Sequence, residues 1–119
     1  MDARRNNVFT GIYKRFSDEF EVVLKQTVLS IGELIDKINA LENRVIFVGD
    51  GVNIYQEYIE KNARVDYELA PIYLREQKAS SVAGLAIQYI KNSKIISSKD
   101  FKPEYLRKSQ AERELENKA

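Results

Sequence analysis

The first thirty residues contain two runs in which β-branched and aromatic residues alternate with other residues. In residues 8–13 a β-branched residue occupies every second position, and residues 20–29 (FEVVLKQTVL) show a similar period of two. This period is typical of strands with one buried face. Because a short polar segment at residues 17–19 separates the runs, we predict an antiparallel β-hairpin.

Residues 31–42 carry apolar side chains at helical spacing. Ser30 and Glu33 have the S-x-x-E spacing of a capping box, in which the two residues satisfy each other's backbone N–H groups. We therefore predict an amphipathic helix that covers one face of the sheet. The apolar positions of this helix are Ile31, Leu34, Ile35, Ile38 and Leu41.

A continuously apolar run, VIFV at residues 45–48, precedes the turn sequence GDG at residues 49–51. Such a run is typical of a strand that is buried on both faces. The pattern then predicts a helix from Val52 to about Lys61 and a short edge strand within residues 64–69.

The longest apolar helix is predicted at residues 78–92, followed by a loop and by a mostly charged tail at 103–119. Ser109 and Glu112 in the tail have the spacing of a further helix cap. We interpret the whole chain, residues 1–119, as a single domain. The side of the long helix that we expect to be buried comprises Ala79, Val82, Ala83, Ala86, Ile87 and Ile90.

The composition excludes several kinds of chemistry. The 119 residues include no cysteine and no histidine, which removes disulfides, thiolate metal sites and the commonest general base. Nineteen basic residues face eighteen acidic ones, and this balance argues against strong autonomous binding of nucleic acid. No apolar run has the length of a membrane span, so we expect a cytoplasmic protein with no membrane partner. We also expect no cofactor.

The GDG turn is the nearest match to a phosphate-binding loop. Its glycines allow close approach to the backbone, and the helix that follows would favour an anion at its N-terminus. The turn lacks both the Walker Lys-Ser/Thr and the G-x-G-x-x-G pattern, and Asp50 would repel a phosphate. We favour a plain turn between a strand and a helix.

Closely spaced carboxylates occur at Asp18 with Glu19 and at Asp66 with Glu68. Proton transfer at a glycosidic bond needs two carboxylates that converge in a cleft, which spacing along the chain does not supply. We interpret both pairs as solvated surface.

Basic residues occur near the hairpin at Arg4, Arg5, Lys14 and Arg15. They could form a basic patch at one end of the hairpin, although a solvated end is the interpretation that we favour. Among the aromatic residues, only Tyr105 lies in a polar sequence setting.

Three blocks resemble, in the same order, the C-terminal half of the TsaB (YeaZ) family. They are DARRNNVFTGIY at residues 2–13, VIFVGDGV at 45–52 and PEYLRKSQAEREL at 103–115. The opening D-A-R-x-x-x-V-[YF] and the closing P-x-Y-L-R followed by A-E are the more specific elements. The resemblance spans essentially the whole chain.

The resemblance implies an α/β fold, one half of an actin/Hsp70-ATPase-like (ribonuclease H-like) protein. It implies a mixed sheet with an N-terminal antiparallel hairpin and helices packed on it. It also implies a non-catalytic partner of the enzyme TsaD, which acts with the ATPase TsaE. Together they install threonylcarbamoyl on the adenosine next to the anticodon of ANN-decoding tRNAs. TsaD carries the metal-binding histidines, and the absence of histidine here fits the non-catalytic role.

The chain departs from the family at its beginning. Family members have a further N-terminal domain and an apolar strand directly before the D-A-R, where this chain has only Met1. We therefore expect two alternatives for the sheet. Either the hairpin pairs directly with residues 45–48, or the chain borrows a strand from another copy and self-associates.

No residue is assigned a catalytic, cofactor-binding or metal-binding role. The residues proposed for partner contact are Arg4, Arg5, Tyr105, Arg107 and Glu112, which match the family blocks. An equally weighted alternative is that Tyr105 and Leu106 pack on the helical layer and hold the fold together.

Two other functions remain as alternatives. The first is an ATP-binding phosphotransferase fragment of the actin-like superfamily, which would use the turn at residues 49–51. The second is a small RNA-binding module, whose affinity for RNA would fall steeply with salt.

Overall fold

A computed structural model describes residues 1–17, 19–109, 111–112 and 115 of the chain. It is a mixed α/β structure, as predicted, with an antiparallel hairpin, a small parallel sheet and three helices within these residues. The elements are β1 (Asn7–Phe16), β2 (Glu19–Ser30), α1 (Ile31–Asn39), β3 (Val45–Phe47), α2 (Gly51–Asn62), β4 (Tyr67–Leu69) and α3 (Ala79–Lys91), with a 3₁₀ turn at Ile72–Leu74.

The predicted hairpin is confirmed. Strands β1 and β2 pair antiparallel from Asn7 opposite Ser30 to Phe16 opposite Glu19. The register shifts between Thr10 and Ile12 and again between Ile12 and Tyr13, each time with one more residue on β2 than on β1, so these β-bulges lie on β2. Gly11 lies on β1 opposite the first shift, and a Cβ there would stand 2.8 Å from the hydroxyl of Tyr13.

Helix α1 confirms the predicted capping box and the amphipathic pattern. The backbone N–H of Glu33 donates to the Ser30 hydroxyl at 3.2 Å, and the backbone N–H of Ser30 donates to the Glu33 carboxylate at 2.8 Å. The helix ends at Asn39, slightly before the predicted end. The apolar face of α1 forms the centre of the core, whose buried members are Val8, Ile31, Leu34, Ile35, Ile38, Phe47, Val52 and Ile59.

The hairpin and the parallel pair β3–β4 form two separate sheets, so the single mixed sheet that we expected is not observed. The hairpin does not pair directly with residues 45–48, which was one of the two expected ways to close the sheet. Part of the β1 edge is taken instead by the start of the chain, through the Asp2–Val8 bridge and the hydrogen bonds between Met1 and Phe9. An open cleft, which Met1 lines at one end, lies between β1 and β3.

Strand β3 lies where predicted, but the expectation that it is buried on both faces is wrong. Phe47 is buried against the core, whereas 60% of the Ile46 side chain is exposed, because it borders the open cleft. Tyr67 of β4 meets Phe47 edge to face, with ring centroids 5.7 Å apart.

Helix α3 also lies where predicted, but the burial that we expected for it is wrong. None of its residues is buried, and Leu85, Ile87 and Ile90 are all exposed. The exposed surface of the structure is accordingly large, 9773 Å² against about 6,600 Å² expected for a compact protein of this mass. Among the described residues, no helix is long and apolar enough to span a membrane.

Candidate interaction site

Residues 4–6 form a left-handed turn directly before β1, which we call the basic turn. Arg4, Arg5 and Asn6 have φ values of +62°, +54° and +59°, a conformation that costs L-residues about 1–2 kcal/mol each. Short hydrogen bonds hold this backbone in place. The Asp2 carboxylate accepts the N–H of Arg4 at 2.9 Å, and the N–H of Asn7 donates to the Arg4 carbonyl at 3.1 Å.

The basic turn is anchored to the core on both sides. On one side the buried Ala3 donates its N–H to the Asn7 carbonyl at 2.8 Å. On the other side Ile31, the first residue of α1, donates its N–H to the Asn6 carbonyl at 2.9 Å. The side chains of Arg4 and Arg5 remain exposed and form no ion pair with any residue that the structure describes. Among the described residues, the turn therefore presents two cations without an ion pair on a backbone that hydrogen bonds hold at both ends.

The tail reaches the basic turn through Arg107. Its guanidinium donates a hydrogen bond to the Ala3 carbonyl, and both Arg107 and Leu106 are half-buried. Tyr105, in contrast, is 85% exposed. The alternative that Tyr105 packs on the helical layer is therefore wrong, whereas Arg107, one of the residues proposed for partner contact, joins the tail to Ala3.

Glu112, the last of the predicted contact residues, makes the local contacts of a helix cap. Its backbone N–H donates to the Ser109 hydroxyl at 3.3 Å, and its carboxylate accepts the backbone N–H of Ser109 at 2.7 Å. Hydrogen bonds from the side chain and the backbone of Ser109 lower the pKa of Glu112 below its ordinary value. The helix that would follow this cap lies mostly outside the described residues.

A residue that the sequence reasoning missed connects the basic turn to α2. The hydroxyl of Tyr55 donates to the Asp2 carboxylate at 3.1 Å. Burial raises the pKa of Tyr55 above its ordinary value, and the hydrogen bond to Asp2 and the charge of Asp2 raise it further. The contact of Asp2 with the Arg4 N–H was readable, because an Asp that bonds the backbone two residues on is an Asx turn. The contact with Tyr55 was not, since 53 residues separate the two partners.

The GDG turn packs against the N-terminal segment. Gly49 has a φ of +102°, and the amino group of Met1 lies 3.7 Å from the Asp50 carboxylate. At Gly51, where α2 begins, a Cβ would stand 3.5 Å from the backbone of Met1 and of Asp2. The N-terminus of α2 is therefore faced by backbone and by a carboxylate, an arrangement that disfavours an incoming phosphate.

The four basic residues do not form a single patch. Arg4 and Arg5 precede β1, whereas Lys14 and Arg15 lie near its other end, about 20 Å or more along the strand. Lys14 sits over the Phe16 ring at 4.8 Å, and the Arg15 guanidinium donates to a carbonyl of the hairpin turn. Arg5 and Lys14 are only nine positions apart in the sequence, but the extended strand between them places the two pairs at opposite ends of β1.

The carboxylate pairs agree with the interpretation as surface where they are described. Asp66 and Glu68 both pair with Arg44, at 3.5 Å in the case of Asp66, and all three side chains are exposed. Asp18 lies outside the described residues, and Glu19 is exposed. In the part of the chain that the structure describes, no group of three or more acidic, cysteine or histidine side chains could hold a metal ion.

An open cleft of about 640 Å³ lies between β1 and β3, which is the size of a small-molecule or peptide site. Its walls come from the hairpin, from α1 and from the beginning of α2. The largely apolar lining includes Ile12, Val23, Leu34, Ile46, Phe47 and Val52. Sequence reasoning anticipated a gap in the sheet at this place, but not an open cleft of this size.

The sequence matches no protein-family model and no curated protein.

Proposed function

We propose that this chain is a non-catalytic interaction domain of the TsaB type, formed by the C-terminal half of that family's actin-like fold. Its role would be to support threonylcarbamoylation of the adenosine next to the anticodon in ANN-decoding tRNAs. It would do so by contacting a TsaD-like catalytic subunit, which acts with a TsaE-like ATPase.

The observation that carries this proposal is the meeting of the three blocks on which the resemblance depends. Arg107 of the closing block donates to the carbonyl of Ala3 in the opening block. The amino group of Met1, next to the opening block, lies beside Asp50 of the middle block. Blocks that are up to a hundred residues apart in sequence thus build one corner of the molecule.

The order of the elements also supports the proposal. A hairpin, a helix and a parallel β-α-β unit follow one another, and residues 1–3 lie antiparallel beside β1. This is the order that an actin-like half would have after its first strand. The surface proposed for the partner is the basic turn together with the exposed Tyr105.

Co-purification with a TsaD-like protein tests the proposal. We expect this chain to elute with that subunit, and the double variant Arg4→Glu and Arg5→Glu to elute separately. The matched control is Lys14→Glu and Arg15→Glu, which reverses the same charge at the other end of β1 and should leave the complex intact. Co-elution of both variants, or of neither, would contradict a contact at the basic turn.

A second measurement separates the proposal from the phosphotransferase alternative. Isothermal titration of the chain with ATP and magnesium should give no heat of binding, because Asp50 and the Met1 backbone face the N-terminus of α2. Micromolar binding of ATP by this chain would overturn the non-catalytic role.

A further inference from the structure

Two strand edges without a strand partner face each other across the cleft. β1 pairs with β2 along one edge, and β3 pairs with β4 along one edge, in two separate sheets. Beyond the short segment at residues 1–3, the described residues add no strand to the other edges. Backbone N–H and C=O groups at such edges are ready to pair with another extended chain.

Residues 1–3 already show how a chain lies in this cleft. Asp2 forms an antiparallel bridge with Val8. The amino group of Met1 donates to the Phe9 carbonyl at 2.9 Å, and the N–H of Phe9 donates to the Met1 carbonyl at 2.8 Å. An occupant that continues this line therefore runs antiparallel to β1.

The direction relative to β3 follows from the glycines of the GDG turn. Cβ positions built at Gly49 and Gly51 lie 3.9 Å and 3.5 Å from the backbone of Met1. Both glycines follow the carboxyl end of β3, so Met1 lies near that end of the strand. An occupant that continues the line of residues 1–3 has its own carboxyl end next to Met1. An occupant is consequently parallel to β3.

The charged side chains that line the cleft are all basic among the described residues, and they lie at the end away from Met1. Lys14 and Arg15 come from the second half of β1 and form no ion pair with a described residue. Arg44, directly before β3, pairs with carboxylates outside the cleft. The remaining lining is mostly apolar, with Ile46 exposed to the open space.

We propose that this cleft binds an extended segment of another polypeptide as an added β-strand, antiparallel to β1 and parallel to β3. The segment has apolar or β-branched residues at alternate positions and an acidic residue at its amino-terminal end, near Lys14 and Arg15. The open track from Gly11 to Arg15 holds about five or six residues at strand spacing. This site is independent of the proposed TsaB-type role, since its occupant is defined by the cleft alone.

Three fluorescein-labelled, amidated peptides test the proposal on the full chain by fluorescence anisotropy. We expect DVTVTV to bind. DVPVPV should bind at least about tenfold more weakly than DVTVTV, because its two prolines remove two backbone N–H donors from the strand pairing. KVTVTV should also bind more weakly, and the difference from DVTVTV should shrink with added salt.

A pair of protein variants locates the binding. Ile46 lines the cleft and Ile54 lies on α2 outside it, and both are 60% exposed, so neither substitution by lysine should unfold the protein. Ile46→Lys should weaken DVTVTV binding about tenfold or more, since the peptide would cover the new charge. Ile54→Lys should leave it unchanged. Bound peptide should slow amide hydrogen exchange in β1 and β3.

Several results would overturn the proposal. The first is that DVTVTV does not bind up to its solubility limit. The second is that DVPVPV binds as tightly as DVTVTV, and the third is that Ile46→Lys and Ile54→Lys change DVTVTV binding equally. If the chain without peptide forms a dimer whose β1 and β3 amides are protected, the occupant is a second copy and not another polypeptide. Failure of TsaD-like co-purification leaves these outcomes unaffected, so the two proposals fail separately.

Discussion

Helices α1 and α3 are both rich in apolar residues, yet only α1 buries them. The apolar residues of α1 lie within an arc of roughly 100°, which matches one face of a helix. Those of α3 cover an arc of roughly 200°, about twice what a single neighbour can cover. Hydrophobic content thus predicts a helix, whereas burial of that helix needs a narrow apolar face and a neighbour of matching shape.

The surroundings of the two helices differ as well. α1 begins where β2 ends, so the capping box at Ser30 sets the helix directly against the hairpin. α3 follows a 3₁₀ turn and begins at Ala79, and the preceding residue, Lys78, makes no side-chain cap. Burial raises the pKa of Tyr13 in the hairpin above its ordinary value, and the electrostatic interaction with Tyr89 of α3 raises it further.

The largest expected difference between the two helices is in core packing. Ile35 of α1 is 2% exposed and Ile90 of α3 is 63% exposed. Ile35→Ala should lower the free energy of unfolding by about 2–5 kcal/mol, because it leaves a cavity. Ile90→Ala should change it by less than about 0.5 kcal/mol. Urea denaturation followed by circular dichroism measures both, and a large effect of Ile90→Ala would mean that α3 is packed in solution.

The caps of the two helices offer a second contrast. Ser30→Ala removes the side-chain hydrogen bond that caps α1 and should lower the free energy of unfolding by about 1 kcal/mol. Lys78→Ser adds a cap at α3, where none is made, and should raise helix content while leaving the urea midpoint of the core unchanged. Should Lys78→Ser shift that midpoint as far as Ser30→Ala does, the two helices would belong to one cooperative unit.

Glycines within the two helices give a third, smaller contrast. At Gly84 of α3 an added Cβ meets nothing within 4 Å, so Gly84→Ala should stabilise that helix by about 0.5–1 kcal/mol. At Gly32 of α1 an added Cβ stands 3.3 Å from the hydroxyl of Tyr58, so the tyrosine must shift and most of the gain is offset. Thermal unfolding followed by circular dichroism measures the stability gained by Gly84→Ala and by Gly32→Ala. A larger gain for Gly32→Ala than for Gly84→Ala would contradict the open surroundings of α3.

The smallest expected effect is a pH dependence confined to α1. Hydrogen bonds from the side chain and the backbone of Ser30 lower the pKa of Glu33 below its ordinary value. A carboxyl with a lowered pKa stabilises the folded state above its unfolded pKa, and this stabilisation is lost as the pH falls through the folded value. Glu33→Gln should therefore flatten the acid side of a stability–pH profile. An unchanged profile would show that the capping box is open in solution.

The predictable part of the fold is the part that depends on short stretches of chain. The alternation in residues 8–13 and the spacing of Ser30 and Glu33 identified the hairpin and the start of α1 correctly, because strand period and capping act between near neighbours. The burial of α3 was not predicted correctly, since the apolar run contains no information about which neighbour covers it.

The candidate site likewise has features that could be predicted from short stretches of sequence and features that could not. That Arg4 and Arg5 are exposed followed from their place in a polar turn before a strand. The hydrogen bond from Arg107 to the Ala3 carbonyl did not, because 104 positions of the chain separate its two partners.

Local sequence therefore determined the identity and order of the strands and helices, the hairpin turn and the cap of α1, through steric and hydrogen-bonding preferences that act over a few residues. Only the tertiary structure decided that the strands form two sheets and not one, that a cleft remains between β1 and β3, and that α3 is left uncovered. Those outcomes depend on whether the edge of one element finds another to pair with, and such a pairing is a property of the whole assembled chain.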